Sequence, residues 1–219
     1  IHQAMQNKNP FEKLPNLDPE KVEALLAFSE LLREANQKVN LLSRKDMDDV
    51  EYRHVAFCAA ISEFFKPADG AKIADVGSGG GLPGIVMAIL YPQAKIFMFD
   101  GVGKKIAMVN DMAQKLSLKN AIGLHARIEE QKDSFDYCTG RSVCALPMFF
   151  KFVRNKIRRG KNGSLENGVI YFKGGELEEE LLKKKILPDA RMDLEAFFGD
   201  PRFEGKSIVH FKERDIQKL

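Results

Sequence analysis

Several features of common protein classes are missing from this 219-residue sequence. It has no run of about 18 apolar residues, so we expect no membrane-spanning helix. Its start lacks the charged, apolar and small-residue pattern of a secretory signal. The three cysteines (Cys58, Cys138, Cys144) and four scattered histidines have no metal-ligand spacing. These absences predict a cytoplasmic protein with reduced, buried cysteines and no metal site.

The composition is that of a folded domain of ordinary size. Hydrophobic residues make up 44% of the chain, and the formal net charge is only +3, so bulk charge indicates no particular partner. We expect residues 1–5 to lie outside the natural fold, because position 1 is not Met and Met5 is a candidate natural start. Pro67 to Gly70 breaks the pattern. We therefore expect an N-terminal helical extension over residues 1–68 and a main domain over residues 69–219.

The extension is predicted to contain two helices. Asp18-Pro19 is an N-cap followed by proline at the first helical position. The predicted apolar face of this first helix is Val22, Leu25, Leu26, Ser29 and Leu32. A second helix is expected from about Asp46, with an apolar face of Met47, Val50, Phe57, Cys58, Ile61 and Phe65. Asn40, in the segment NLLSRKD between the two helices, is a candidate cap for the turn.

Strands and helices alternate from residue 72 onward, which predicts an α/β fold with a mostly parallel sheet. The predicted strands are KIADVG, AKIFMFD (94–100), AIGLHA, FDYCTG and GVIYFKG. The predicted helices cover about 83–90, about 103–118, LPMFFKFVRNKI and ELEEELLKKK. In the tail, DLEAFF and SIVHF are expected to pair as antiparallel strands at the sheet edge.

The segment DVGSGGGLPG (75–84) is a candidate cofactor loop between a strand and a helix. Taken literally, Gly79 to Gly84 matches the dinucleotide fingerprint, but the frame that starts directly after the strand, at Gly77, lacks the third glycine. Asp75 would repel a pyrophosphate and suits a cationic ligand such as S-adenosylmethionine. The alternative is that Asp75 caps the loop or the following helix. Asp100, 23 residues after Gly77, is a candidate ribose ligand for either cofactor.

Together, DVGSGGGLPGI, FDGVGKK, RIEE, GRSVCALP and YFKGG resemble the bacterial small-subunit (16S) ribosomal RNA guanine-N7 methyltransferase family, also called RsmG or GidB. NLLS (40–43) and Arg53-His54 resemble its upstream signatures. The resemblance covers about residues 20 to 180. It implies a Rossmann-like class I methyltransferase fold with a seven-stranded sheet and an N-terminal helical extension. It also implies S-adenosylmethionine as cofactor, and ribosomal RNA or the small ribosomal subunit as partner. We expect a monomer without membrane contact.

The resemblance assigns cofactor contacts to Gly77, Leu82, Ile128, Glu129 and Arg141, in addition to Asp75, Gly79 and Asp100. Arg141 and Lys173 are candidate active-site residues. No residue is proposed as a general base. The sequence departs from the family in having Gly140-Arg141-Ser142 where Ser-Arg-Ala is usual, and the region after about residue 185 matches no known pattern.

Candidate RNA contacts come from two places in the sequence. Residues 151–161 contain six basic residues and no acid, so Arg154, Arg158 and Arg159 are predicted to contact phosphates near the active rim. The alternative is a solvated helix face. Arg53, His54 and Asn40 are further substrate candidates, with surface or capping roles as alternatives.

Three other functions stay open from the sequence. They are a methyltransferase that acts on another RNA, a protein or a small molecule; a non-catalytic RNA-binding assembly factor; and, less favoured, a nicotinamide-dependent oxidoreductase.

Overall fold

A computed structural model describes residues 9–175 and 187–218 of the chain. The helices are α1 (Pro19–Lys38), α2 (Phe57–Ala59), α3 (Gly84–Leu90), α4 (Gly103–Lys115), α5 (Leu146–Val153), α6 (Leu194–Phe198) and α7 (Glu213–Ile216). The strands are β1 (Lys72–Val76), β2 (Lys95–Asp100), β3 (Ala121–His125), β4 (Tyr137–Arg141), β5 (Gly168–Gly174), β6 (Ala190–Asp193) and β7 (Lys206–Lys212). The predicted helix ELEEELLKKK lies outside the described residues.

The seven strands form one sheet in the order β3-β2-β1-β4-β5-β7-β6. Strands β1 to β5 are parallel to one another, whereas β7 is antiparallel to β5 and to β6. Helices cover both faces, so β1, β4 and β5 are almost continuously buried instead of alternating between buried and exposed residues. The predicted seven-stranded, mostly parallel sheet is confirmed.

Two apolar clusters fill the two sides of this sheet. One joins strand residues such as Ile73 and Phe172 to the N-terminal helices and α3. The other joins Ala74 and Tyr171 to α5. Because neighbouring residues along a strand point to opposite faces, Ile73 and Ala74 belong to different clusters. The N-terminal helices therefore share one core with the sheet, while a domain division at residue 68 remains a prediction.

Helix α1 begins as predicted, since the Asp18 carboxylate accepts a 2.9 Å hydrogen bond from the Lys21 amide and Pro19 follows it. Its buried face differs in part from the prediction. Leu26 is 42% exposed, whereas Phe28 and Ala35 are buried. Helix α1 also lies against the glycine loop, because a Cβ atom on Gly80 would lie 2.9 Å from Leu32 Cδ1.

The second predicted helix is a helical segment of changing pitch, residues 44–63. It passes from a 3₁₀ turn (Arg44–Asp49) to a π-helical turn (Glu51–Ala56), then α2, and ends in a 3₁₀ turn (Ala60–Glu63). Such π turns are often found at functional sites, and this one carries Arg53 and His54.

The prediction for the tail is wrong for one of its two strands. SIVHF lies in β7, but its antiparallel neighbour is β6, and DLEAFF forms α6 instead of a strand. Asp193 caps this helix by accepting a hydrogen bond from the Ala196 amide, and Gly199, in the left-handed conformation, ends it. These two caps select a helix over the strand that the apolar residues alone favoured.

No helix among the described residues is long and apolar enough to cross a membrane. Cys58 and Cys138 are buried and reduced as predicted, whereas Cys144 is reduced but only half-buried.

Candidate functional site

The glycine loop joins β1 to α3 at the carboxyl edge of the sheet. Gly77, Gly79 and Gly81 all have positive φ angles, which other residues adopt only under strain. The amides of Gly77 and Ser78 donate to the Phe99 carbonyl at 2.8 and 3.0 Å, which ties the loop to β2. The loop is therefore fixed at the place where parallel sheets bind their ligands.

The glycines of this loop differ in the space beside them. A Cβ atom on Gly77 would lie 2.9 Å from Val143 Cγ2, and one on Gly84 would lie 2.5 Å from Met98 Cγ. Apart from the adjacent residues, the nearest atom to a Cβ atom on Gly79 would be the Gly77 carbonyl oxygen, at 3.9 Å. Gly77 and Gly84 thus permit close packing within the protein, while Gly79 leaves bare backbone facing open space.

Asp75 is completely buried at the end of β1. Its Oδ2 accepts a 2.9 Å hydrogen bond from the Gly84 amide, at the start of α3. Its Oδ1 is buried without a hydrogen-bond partner among the described residues, and burial raises the pKa of Asp75 to about 7. The structure thus favours the capping alternative over direct contact with a cation. The same carboxylate occupies the helix end that a dinucleotide pyrophosphate requires.

Asp100, at the end of β2, lies beside the glycine loop as predicted. One carboxylate oxygen accepts a hydrogen bond from the Gly79 amide and the other accepts one from the Val102 amide, both at 2.9 Å. The side chain is half-buried. It therefore fixes the open position at Gly79, and a further bond to ribose hydroxyls remains a prediction.

The other predicted cofactor residues divide into buried and exposed positions. Leu82 and Ile128 are 3% and 1% exposed, and their side chains belong to the two apolar clusters. Any ligand contact at these positions would come from the backbone. Glu129 is exposed in the 3₁₀ turn Ile128–Glu130 that follows β3.

Arg141 and His54 are 87 residues apart in the sequence and form a direct contact. The Arg141 guanidinium lies 2.6 Å from His54 Nδ1. Because a guanidinium can only donate hydrogen bonds, Nδ1 must accept, which places the proton of the neutral ring on Nε2. Burial, reinforced by Arg141, lowers the pKa of His54 to about 4. His54 Nε2 lies 3.4 Å from Asp46 Oδ2 without hydrogen-bond geometry. His54 is therefore neutral near pH 7.

A second cation beside Arg141 was not predicted from the sequence. Lys206 Nζ lies 3.4 Å from the Arg53 carbonyl oxygen and 5.5 Å from the centre of the Phe57 ring. The Arg141 guanidinium carbon lies 6.0 Å from the centre of the same ring. Burial, with the charges of Arg53 and Arg141, lowers the pKa of Lys206. Its only sequence signal is its place immediately before the predicted last strand, SIVHF.

Lys173 is half-buried at the carboxyl end of β5, as predicted. It lines a cleft of about 240 Å³ with Gly174 and residues 142–145. Ser142 in this cleft has a φ of 54°, a strained conformation for a residue with a side chain. The carboxyl edge thus brings together Gly77, Gly79, Asp100, Arg141, His54 and Lys173.

The basic stretch does not lie at this edge, so its predicted position beside the active rim is wrong. Helix α5 leads the chain back across the sheet, and the Arg158 amide donates to the Phe135 carbonyl, just before β4 begins. The Arg158 side chain lies 3.7 Å from Asp136. Arg154, Arg158 and Arg159 are therefore at or near the amino edge, about 17 Å from Arg141 at 3.3 Å per strand residue.

Asn40 is exposed, and it is Asn36 whose side chain accepts hydrogen bonds from the amides of Leu41 and Leu42, at 2.7 and 2.9 Å. The expected cap of this turn is thus assigned to the wrong asparagine. Arg53 is exposed and lies 3.6 Å from Asp49 and 3.9 Å from Asp46.

A larger cleft, of about 1000 Å³, lies at the amino edge between α1 and the starts of β2 and β3. None of the predicted site residues lines it, so the predicted site does not lie in this larger cleft. The described residues include no group of three or more His, Cys, Asp or Glu side chains that could hold a metal ion.

Comparison with known proteins adds evidence independent of this geometry. Residues 21–195 match a family model described as rRNA small subunit methyltransferase G. A protein of that name from Flavobacterium johnsoniae is 37% identical over 197 residues, which cover 90% of this chain and 93% of the relative. One from Bacteroides fragilis is 35% identical over 196 residues, which cover 90% of this chain and 95% of the relative.

Solved structures support the fold. A ribosomal protein L11 methylase from Lactobacillus delbrueckii subsp. bulgaricus superposes with a TM-score of 0.52 at 12% identity, covering 72% of this chain and 77% of that one. A Methanococcus jannaschii fibrillarin pre-rRNA processing protein gives 0.50 at 12% identity, covering 69% and 71%.

Proposed function

Because the chain belongs to the rRNA small subunit methyltransferase G family, we propose that it transfers a methyl group from S-adenosylmethionine to N7 of a guanine in small-subunit ribosomal RNA. The observation that carries this proposal is the open backbone at Gly79, held by Asp100 and placed at the same sheet edge as Arg141 and Lys173.

The residues at this edge fit the cofactor. Gly79 leaves room for a ligand to approach the backbone, and the Asp100 carboxylate, held on two amides, has further lone pairs for ribose hydroxyls. The exposed Glu129 is available to the adenine end of S-adenosylmethionine. When bound, S-adenosylmethionine supplies an electrophilic methyl group on a sulfonium centre.

The chain need not supply a general base for this reaction. Guanine N7 carries no proton and is a hydrogen-bond acceptor, so its lone pair attacks without deprotonation. His54 is neutral, and its Nδ1 accepts from Arg141, so the free lone pair that a base needs is occupied. Catalysis then depends on positioning.

Arg141 and Lys173 have different tasks in this scheme. An arginine that formed two bonds to guanine O6 and N7 would block the nucleophile. The contact with His54 holds the Arg141 guanidinium in place, so we assign it to orienting the cofactor or the RNA backbone. Lys173 is placed to contact O6 at most. Because N7 lies against neighbouring groups in folded RNA, the base is expected to unstack before it enters the site.

The direct test is incubation of the protein with S-adenosylmethionine labelled in the methyl group and a small-subunit ribosomal RNA transcript. At a limiting concentration of S-adenosylmethionine, we expect label in the RNA with the natural chain and much less with Gly79→Ala. Label that appears in protein instead, or no label with either RNA or assembled subunits, would contradict the proposal.

A further inference from the structure

The amino edge of the sheet carries a cationic surface that the reaction does not use. We call it the amino-edge patch and define it by Arg154, Arg158, Arg159, Lys161 and Arg214. Arg159 and Arg214 line the same cleft of about 400 Å³. The side chain of Gln217 donates to the Arg154 carbonyl, which ties the end of α5 to α7. These elements therefore form one continuous surface.

Asparagine side chains hold the loop of this patch in a fixed shape. Asn167 Oδ1 accepts from the Asn162 amide at 2.8 Å, and Asn167 Nδ2 donates to the Arg158 carbonyl at 3.2 Å. The Asn167 amide also donates to the Gly160 carbonyl at 2.8 Å. Arg159 and Lys161 thus extend from an ordered backbone, which lowers the conformational entropy lost on binding.

Part of the charge on the patch is compensated within the protein. Arg158 lies 3.7 Å from the buried Asp136, and Arg214 lies 3.5 Å from Glu166. Arg159 and Lys161 are exposed, and within residues 9–175 and 187–218 neither forms an ion pair. These two side chains are therefore available to an external anion.

The position of the patch restricts the kind of anion. The patch lies about 17 Å from the carboxyl edge, so one ligand can reach both only if it is an extended polyanion. Stable membrane binding would require a second signal beside the charges, such as exposed apolar side chains. The exposed large apolar residues of the described chain, Leu26, Val102, Ile122, Met148 and Leu187, are not part of the patch.

We propose that the amino-edge patch is a second RNA-contact surface, which binds backbone phosphates while the carboxyl edge holds the target base. The identity of the RNA rests on the function proposed above. Such a surface contributes to affinity and to its salt dependence, whereas the methyl-transfer step itself does not involve it. Long ribosomal RNA should therefore bind more tightly than a short fragment that cannot reach the patch.

The test compares two double variants of the full chain. Arg159→Gln with Lys161→Gln removes the two available cations. Lys95→Gln with Lys119→Gln removes two exposed lysines at the other end of the same sheet edge and is the matched control. Equal melting temperatures for the two variants would show that folding is not the cause of any difference.

Binding of a small-subunit ribosomal RNA transcript is then measured over a range of salt concentrations. Each lost phosphate contact removes about 0.7–0.9 from the slope of log affinity against log salt, so the patch variant should lose about 1.4–1.8 and the control nothing. At saturating RNA, the single-turnover methylation rate should be the same in all three proteins.

Equal slopes in the patch variant and the control would overturn the proposal. It would also be overturned if the patch variant bound RNA normally but lost binding to phosphatidylserine vesicles. Binding is measured without S-adenosylmethionine, so a failure of methylation in the natural chain would count against the proposed function and not against the patch.

Discussion

Replacing Gly79 by alanine separates cofactor binding from folding more cleanly than any other change in the glycine loop. Gly79 has a φ of 54°, and apart from the adjacent residues the nearest atom to an added Cβ lies 3.9 Å away. Gly77 is a poorer choice, because its added Cβ would also collide with Val143 at 2.9 Å. Loss of binding in a Gly77→Val variant would therefore combine ligand exclusion with damage to the fold.

Gly70 provides the matched control for this change. It has a φ of 75°, nothing within 4 Å of an added Cβ, and a position just before β1, at the opposite edge of the sheet. Alanine at a positive φ costs about 1–2 kcal/mol. For a chain of this length, that corresponds to a melting temperature lower by roughly 2–8 °C. Both variants should show a loss of this size.

Of the two variants, only Gly79→Ala should weaken cofactor binding. A methyl group inserted into a close contact typically costs about 1–3 kcal/mol, which is roughly a 5- to 150-fold loss of affinity. The measurement is calorimetric titration of S-adenosylhomocysteine into the natural chain and both variants. Equal affinities in all three proteins, with the expected drop in melting temperature, would refute the assignment of the ligand to Gly79.

Three other predictions concern single residues and pH. Asp100→Ala should weaken S-adenosylhomocysteine binding by about 1–3 kcal/mol, the cost of losing a hydrogen bond to a charged group. If calorimetry showed that this variant binds as tightly as the natural chain, Asp100 would not be a cofactor ligand. The pKa of His54 is lowered to about 4 in the folded chain. As the pH falls, the unfolded chain therefore protonates this histidine before the folded chain does, and folding stability decreases between pH 6.5 and 4. Denaturant unfolding at pH 7 and 5 should therefore show a loss of folding stability about 2 kcal/mol larger in the natural chain than in His54→Gln. Protonation of Asp75 shifts the stability of both proteins in the opposite direction. Equal losses of stability in the two proteins would contradict the prediction. The single-turnover methylation rate should be constant between about pH 6.5 and 9, because the reaction needs no general base, whereas a strong rise over that range would refute attack by an unprotonated nitrogen.

Much of the sheet and of the glycine loop could be predicted because their signals are local. The strand GVIYFKG coincides with β5, the glycines directly follow β1, and Asp75 and Asp100 lie near the ends of β1 and β2. The helix α6 was missed although Asp193 and Gly199 are ordinary caps. A short apolar segment does not by itself distinguish helix from strand, and here the caps at its two ends decide for the helix.

The remaining errors come from contacts between distant parts of the chain. The sequence does not reveal that α5 carries the basic stretch to the opposite edge, nor that His54 meets Arg141 and Lys206 approaches Arg53. Asp75 could be interpreted either as a ligand or as a cap until its bond to the Gly84 amide was known.

The central claim is tested most directly by locating the transferred methyl group. Small-subunit ribosomal RNA labelled by the natural chain is treated by reduction and aniline, which cleaves the strand at N7-methylguanosine, and the ends are mapped by primer extension. We expect cleavage at a guanine, and less of it in RNA incubated with Gly79→Ala at a limiting concentration of S-adenosylmethionine. Labelled RNA that resists this cleavage, or a methyl group mapped to an exocyclic nitrogen or to ribose, would contradict it.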